Sequence, residues 1–151
     1  MVANPKVVNQ VERWIFELEK VDQSWDEIVL DLVRLIEADI IKMNLEQIWS
    51  GRDSDGNQIR PDYAESTKRI KDRRGDPYDR VTLKHEGDFY ASWKVIYGNK
   101  EFIFGADDYK AQYLIRKYGA EIYGLTPDNV SKLAKRLKLP IIDEVRKRLF
   151  S

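Results

Sequence analysis

The sequence predicts an α+β fold in which long helices precede a small antiparallel sheet and further helices pack on that sheet. Apolar residues recur at helical spacing before residue 50 and again after residue 107. Between them, two short alternating runs are joined by a glycine-containing turn, as in a β-hairpin. The length of 151 residues is typical of one domain. We therefore expect a single domain over residues 1–151, with a helical segment at 6–49, a long loop at 50–80, and the sheet with its C-terminal helices at 81–151.

Two amphipathic helices are predicted before residue 50. Pro5 suits the first turn of a helix over residues 6–21. Ser24 and Glu27 then have the spacing of a capping box, which predicts the start of a second helix. Its apolar stripe continues to Trp49, so we expect one helix of about 25 residues ending at Ser50 and Gly51.

Residues 50–80 are polar, contain glycine and proline, and show no apolar periodicity. This pattern predicts an extended loop. A loop of about 30 residues is unusual in a compact domain, and such segments tend to be functional or to order against a partner. The Asp53–Asn57 stretch does not fit a calcium loop, because the glycine comes fourth instead of sixth and Ala64 stands where a bidentate glutamate is needed.

A short apolar run at 81–83 and a turn near Gly87 precede the predicted hairpin, whose strands lie at 92–97 and 101–104. Asp107 and Asp108 are expected to begin a helix through Tyr118, capped by Gly119. Its inward side chains are predicted to be Tyr109, Tyr113 and Leu114. Another helix is expected to begin near Thr126, and Pro140 is expected to divide it from a final helix.

Composition excludes several kinds of chemistry. The chain has no cysteine and a single histidine, His85. Disulfides, thiolate zinc sites, cysteine nucleophiles and most histidine-based metal or triad chemistry are therefore unavailable within one chain. His85 lies beside Glu86 and Asp88, which could orient it as a general base, although a surface histidine explains the same residues. We expect no enzyme activity and no cofactor or metal.

No membrane interaction is expected either. No apolar run approaches the roughly 18 residues that a membrane span requires. The first residues carry charge throughout and lack the pattern of a signal peptide.

The net charge is zero, but the charges are unevenly distributed. Residues 1–50 carry 5 basic and 10 acidic side chains, residues 51–100 carry 11 and 9, and residues 101–151 carry 10 and 7. This asymmetry suits subunits that meet head to tail, with an acidic face steering onto a basic one. It is equally compatible with solvated helix faces that have no partner.

The densest basic cluster lies at 68–80, inside the predicted loop. It consists of Lys68, Arg69, Lys71, Arg73, Arg74 and Arg80. Such a cluster could bind phosphates, which makes a small nucleic-acid-binding protein the alternative function. Asp72, Asp76 and Asp79 interrupt the cluster, so intermolecular ion pairs, or no contact at all, fit as well.

Tryptophans are the other candidates for contact residues, because they are often core or interface anchors. Three of the four lie on the predicted N-terminal helices. The predicted subunit or partner contacts are Trp14, Trp25, Trp49, Arg60, Lys68, Arg69, Lys71, Arg73 and Arg74.

Residues 46–149 resemble the phage virion morphogenesis and tail-completion proteins. The resemblance rests on turn residues and aromatics in a fixed order, and the helix at 6–21 is an addition to it. The matching positions are Asp55, Gly56, Pro61, Thr67, Leu83, Gly87, Asp88, Phe89, Tyr118, Gly119, Gly124 and Leu125.

The resemblance implies a structural protein of the neck between capsid and tail, assembled in the host cytoplasm and located in the virion. Its partners would be further copies in a ring of about six or twelve subunits, together with portal, adaptor or tail proteins. The segment at 50–80 would reach a neighbouring subunit, and DNA would pass through the lumen. The resemblance is compatible with either of two positions in the neck, a tail-terminator ring or a portal-proximal adaptor.

Overall fold

The structure is a computed structural model that describes the backbone of residues 5–150 and the side chains of residues 12, 13 and 15–150. It confirms the α+β class: the described part is 61% helical and contains one two-stranded antiparallel sheet. The elements are α1 (Pro5–Gln23), α2 (Trp25–Leu35), α3 (Glu37–Trp49), α4 (Glu65–Arg74), α5 (Asp88–Ala91), β1 (Trp93–Tyr97), β2 (Phe102–Ala106), α6 (Ala111–Tyr118), a one-turn 3₁₀ helix (Ala120–Ile122) and α7 (Pro127–Phe150).

The predicted first helix is confirmed, but the capping box is wrong. The hydroxyl of Ser24 donates to the backbone carbonyl of Lys20 at 2.8 Å and makes no cap to α2. It therefore satisfies the C-terminal end of α1. Arg148, at the end of α7, donates to the same hydroxyl oxygen at 3.1 Å. The junction between α1 and α2 is thus tied to the far end of the chain.

The prediction of one continuous helix over 25–49 is also wrong. The chain breaks at Ile36, whose φ of −117° and ψ of 21° lie outside helical geometry. Its N–H still bonds to Val33, and its carbonyl accepts from Ile40, so the bend leaves few backbone groups without partners. The apolar stripe passes through the bend without a glycine or proline, which is why the pattern did not reveal it.

The predicted loop at 50–80 contains a helix, α4, so that prediction is wrong for residues 65–74. Ile70 is the only strongly apolar residue of α4, so the sequence has no apolar stripe there from which a helix could be predicted. Gly75 ends it in the left-handed conformation at φ +73°. Before α4, the carboxylate of Asp53 accepts from the backbone N–H groups of Asp55 (3.0 Å) and Asn57 (2.9 Å), which makes a tight turn.

The hairpin is confirmed, with Val95 opposite Phe104 at its centre. Hydrogen-bonded pairs flank the strands at Gly98 with Glu101 and at Ser92 with Asp107. Bonded and non-bonded pairs alternate in an antiparallel ladder. The backbone groups of Phe102, Phe104 and Ala106 therefore point away from β1, and within the described residues no strand pairs with this outer edge of β2.

The C-terminal helices differ from their predicted form. The helix α6 begins at Ala111 instead of Asp107, and Tyr109 (72% exposed) and Tyr113 (57%) face outward, so their predicted inward placement is wrong. Leu114 packs against the core as predicted. Pro140 does not divide the last helix, because α7 runs through it. Pro140 is exposed, so water can reach the backbone carbonyl that its missing N–H leaves unbonded.

The apolar core consists of two clusters. One lies among α3, the 81–83 segment, α5 and the sheet, and includes Ile48, Phe89 and Trp93. The other lies between α7 and the helices α2 and α3, and includes Val33 and Ile40. Phe104 packs against both clusters, so the small sheet joins them.

Candidate functional site

An open apolar groove of about 440 Å³ runs along α3. Its floor is a stripe of side chains spaced by three or four residues, and Trp49 at its end is 37% exposed. The lining residues are Ala38, Ile41, Lys42, Leu45, Glu46, Trp49, Lys84 and Tyr90. We call this surface the α3 groove. An exposed stripe at this spacing is the kind of surface on which a second helix packs.

The rim of the α3 groove is basic. The ammonium of Lys84 lies 5.3 Å from the ring centre of Trp49 and 5.8 Å from that of Tyr90. The guanidinium of Arg80 lies 5.8 Å from the same tryptophan ring, and its Nε donates to the Trp49 carbonyl at 2.7 Å. Lys42 pairs with Glu46 at 3.7 Å. Arg80 pairs with Asp79 at 2.9 Å, so Lys84 is the rim cation that has no ion pair in the described structure, and it favours an acidic partner.

A second open groove, of about 530 Å³, lies beside the unpaired edge of β2. Its walls are Phe102, Ile103, Phe104, Ala120, Tyr123, Gly124, Leu125, Val130 and Leu133. An unpaired edge next to an apolar groove can take up an extended chain segment by backbone hydrogen bonding. This is the β2 groove.

Two buried amides on α3 position the far wall of the β2 groove. Asn44 accepts from the N–H of Gly124 at 3.0 Å, and Gln47 donates to the Gly124 carbonyl at 3.0 Å. Gln47 also accepts from the N–H of Thr126 at 2.8 Å. Gly124 has φ +116°, and a Cβ there would lie 3.1 Å from Ser54. These contacts fix the start of α7 against α3, and the apolar pattern gave no sign of them.

The segment after α4 is held by side chains rather than by a strand. The hydroxyl oxygen of Tyr63 accepts from the N–H groups of Thr82 (2.9 Å) and Leu83 (3.2 Å), and Tyr90 donates to the Thr82 carbonyl. Burial raises the pKa of Tyr90 well above its ordinary value. Leu83 has φ +56°, which is uncommon for a residue other than glycine. Lys84 is thereby fixed at the rim of the α3 groove.

The predicted basic cluster does not form one surface. Lys71 is buried at 5% exposure, and its ammonium donates to the Lys84 carbonyl at 2.8 Å. Lys68 pairs with Glu65 at 3.2 Å, and Arg74 lies 3.3 Å from Asp76. Arg80 lies beside Trp49 and pairs with Asp79 at 2.9 Å, and Arg60 pairs with Asp62, outside α4. Of the exposed predicted cations, two have no ion pair within the described structure, namely Arg69 and Arg73. They lie one turn apart on the exposed face of α4.

His85 is exposed and is engaged by Arg74, whose guanidinium donates to the His85 carbonyl at 2.9 Å and lies 3.1 Å from its Nδ1. Glu86 lies 3.8 Å from the other ring nitrogen. Of the two candidate carboxylates, that of Glu86 lies near the ring, whereas within the described residues no hydrogen bond or ion pair joins His85 to Asp88. Nor do the described residues contain three metal-ligating side chains in one place.

The tryptophans divide between surface and core. Trp25 (43% exposed) and Trp49 lie at the surface, as a contact role requires. The side chain of Trp14 lies outside the described residues. Trp93 is buried, with its ring centre 5.1 Å from Phe89 and 4.8 Å from Tyr123.

The positions that carried the family resemblance lie mostly in turns and in the core. Gly56, Gly87, Gly119 and Gly124 all have positive φ, and Pro61 follows a cis peptide bond. Leu83 and Phe89 are buried, whereas Thr67, Tyr118 and Leu125 are half-buried. Asp55 and Asp88 are exposed. These residues shape the fold and do not converge on one site.

In a comparison with known proteins, no family model matches the chain, and neither the curated proteins nor the solved structures give a significant match. Among the described helices, none is both long and apolar enough to cross a membrane.

Proposed function

We propose that this protein is a structural subunit of the head-to-tail joint of a tailed bacteriophage, located in the virion and acting by assembly. The observation that carries the proposal is the α3 groove, an open apolar surface with an exposed tryptophan and a basic rim. Exposed apolar surface of this kind marks protein contact sites. The β2 groove provides a second such surface, and the order of motifs in the chain agrees with the resemblance to tail-completion proteins.

The charge distribution supports an assembly role, but fewer of the charges are free for contacts between copies than the sequence alone indicated. The basic helix α7 lies against α1 and α2, and Arg136 pairs with Asp39 on α3 at 2.6 Å. Some of the acidic side chains of the N-terminal segment therefore pair with basic side chains of the C-terminal segment within one copy. On α4, Arg69 and Arg73 are exposed and have no ion pair in the described structure, and they form a small basic patch on the same copy.

The proposal is tested by mixing the purified protein with tail-less capsids or capsid-less tails of the parent phage. We expect co-sedimentation and, by electron microscopy, added density at the neck. A Trp49→Ser, Lys84→Glu variant should lose binding, whereas Tyr109→Ser, Lys132→Glu, which changes exposed residues elsewhere, should retain it. Failure of the wild-type protein to bind either particle would contradict the proposal.

A second candidate function is nucleic-acid binding through Arg69 and Arg73, the two exposed cations of α4 that have no ion pair in the described structure. Phosphate contacts by these residues would make binding salt-dependent, with a slope that falls by about 1 per residue removed.

Charge reversal at both arginines should then abolish retardation of a DNA duplex at low salt. The matched control is Lys132→Glu with Lys135→Glu, which makes the same change of charge on the exposed side of α7. Equal loss in both variants would indicate a response to net charge alone and would reject a specific role for α4.

A further inference from the structure

The exposed face of α1 combines apolar and acidic side chains. Ile15, Phe16 and Leu18 are each about half exposed, at 51%, 55% and 50%. Glu12 and Glu19 lie on the same face, since they are three or four residues from Ile15. On its other side α1 packs against α7 and α2. A face of this kind is suited to an apolar surface with a positive rim.

The α3 groove has the matching properties. Its apolar stripe runs from Ala38 to Trp49, about 16 Å at the helical rise per residue. The exposed face of α1 from Glu12 to Asp22 covers about 15 Å by the same measure. Lys84 is the positive charge at the Trp49 end of the groove that has no ion pair in the described structure, because Arg80 pairs with Asp79 at 2.9 Å. The exposed carboxylates of α1 have the opposite charge. Length, apolar character and charge therefore agree.

We infer that the α1 helix of one copy docks in the α3 groove of the next copy. The inference rests on the proposed assembly function and specifies its interface. Ile15 and Leu18 would cover the stripe, and the acidic side chains of α1 would face Lys84. Because the surface that docks differs from the surface that receives it, the contact is heterologous. Repetition of a heterologous contact closes a ring when the rotation permits and otherwise extends a filament.

The interface is tested by charge exchange, with self-association measured by sedimentation velocity and native mass spectrometry. Glu12→Lys with Glu19→Lys changes α1, and Lys84→Glu changes the groove. The Lys84 side chain is exposed, and its carbonyl, which Lys71 bonds, is unaffected. Each change alone should weaken self-association about tenfold or more, because it places like charges together. The chain that combines all three changes should return to within about threefold of the wild type.

Matched controls separate the interface from net charge. Asp55→Lys with Asp72→Lys alters two exposed carboxylates on segments other than α1, and Lys132→Glu alters an exposed lysine on α7. Neither should change self-association by more than about twofold. Ile15→Ser with Leu18→Ser, which removes apolar contact without changing charge, should weaken it as the α1 charge variant does.

Three results would overturn the inference: a wild-type protein that is monomeric at about millimolar concentration, α1 variants that associate like the wild type, or single variants that are weakened but not restored in combination. Binding to capsid or tail particles is scored separately. A monomer that still binds those particles refutes the interface and leaves the proposed function standing. Self-association with the predicted pattern but no particle binding refutes the proposed function instead.

Discussion

The hydroxyl oxygen of Tyr63 accepts two backbone N–H groups, from Thr82 and Leu83, in a part of the chain where a strand would otherwise bond them. Thr82 is fully buried, so water does not substitute readily for the phenol. The same tyrosine ring lies 4.8 Å from the buried ammonium of Lys71. One side chain thus fixes the path that leads to Lys84 and the rim of the α3 groove.

Replacing Tyr63 by Phe should lower the free energy of unfolding by about 2–4 kcal/mol, because two N–H groups lose their acceptor. Urea denaturation measures the change. Tyr113→Phe is the control, since its side chain is 57% exposed, and it should stay within about 0.5 kcal/mol of the wild type. If Tyr63→Phe behaves like the control, the hydrogen bonds contribute no net stability.

At the scale of elements, the sequence predicted those whose pattern comes from burial on one face. The helix α1 and the hairpin follow helical and alternating periodicity, and both were found. The helix α4 was missed because its residues are nearly all polar. The bend at Ile36 was missed because an apolar stripe passes through it. Pro140 was wrongly predicted to divide the last helix, because at an exposed position water can bond the backbone carbonyl that proline leaves without a donor.

Pro140 gives a prediction at this scale. Pro140→Ala restores an N–H donor to the exposed side of α7 and should raise the free energy of unfolding by about 1–3 kcal/mol. Helicity by circular dichroism should remain the same or increase slightly. Leu139→Ala, at the neighbouring exposed position, should change stability by less than about 0.5 kcal/mol. A loss of stability in Pro140→Ala would show that α7 needs the local geometry that proline imposes.

Across the whole molecule, the surfaces depend on contacts between residues far apart in the chain. Asn44 and Gln47 bond to residues near 124, and Arg148 bonds to Ser24. Such pairings leave no local pattern in the sequence. Trp49 and the basic cluster could therefore be identified as candidates from the sequence. It could not be predicted that Lys84 lies beside Trp49, or that the cations of the cluster lie on different surfaces. The two grooves follow from this long-range packing.

Stability at alkaline pH tests that packing as a whole. Burial raises the pKa values of Tyr90, Tyr118 and Tyr123. Because each folded-state pKa lies above the unfolded value near 10, their contribution is complete below about pH 10 and is lost as the pH rises beyond it. Urea titrations should show stability falling above pH 10 while phenolate absorbance lags behind that of the unfolded chain. Phenolate absorbance matching the unfolded chain in the folded protein would show that these rings are hydrated.

The unpaired outer edge of β2 has a consequence for the exchange of backbone hydrogen with deuterium. Along β2 the amides of Ile103 and Gly105 lie toward β1, whereas those of Phe102, Phe104 and Ala106 lie toward the β2 groove. Slow and fast amides should therefore alternate residue by residue along one short strand. Any chain that occupies the β2 groove as an added strand would slow deuterium exchange only at the fast-exchanging amides. Those three amides therefore report locally on what this edge binds.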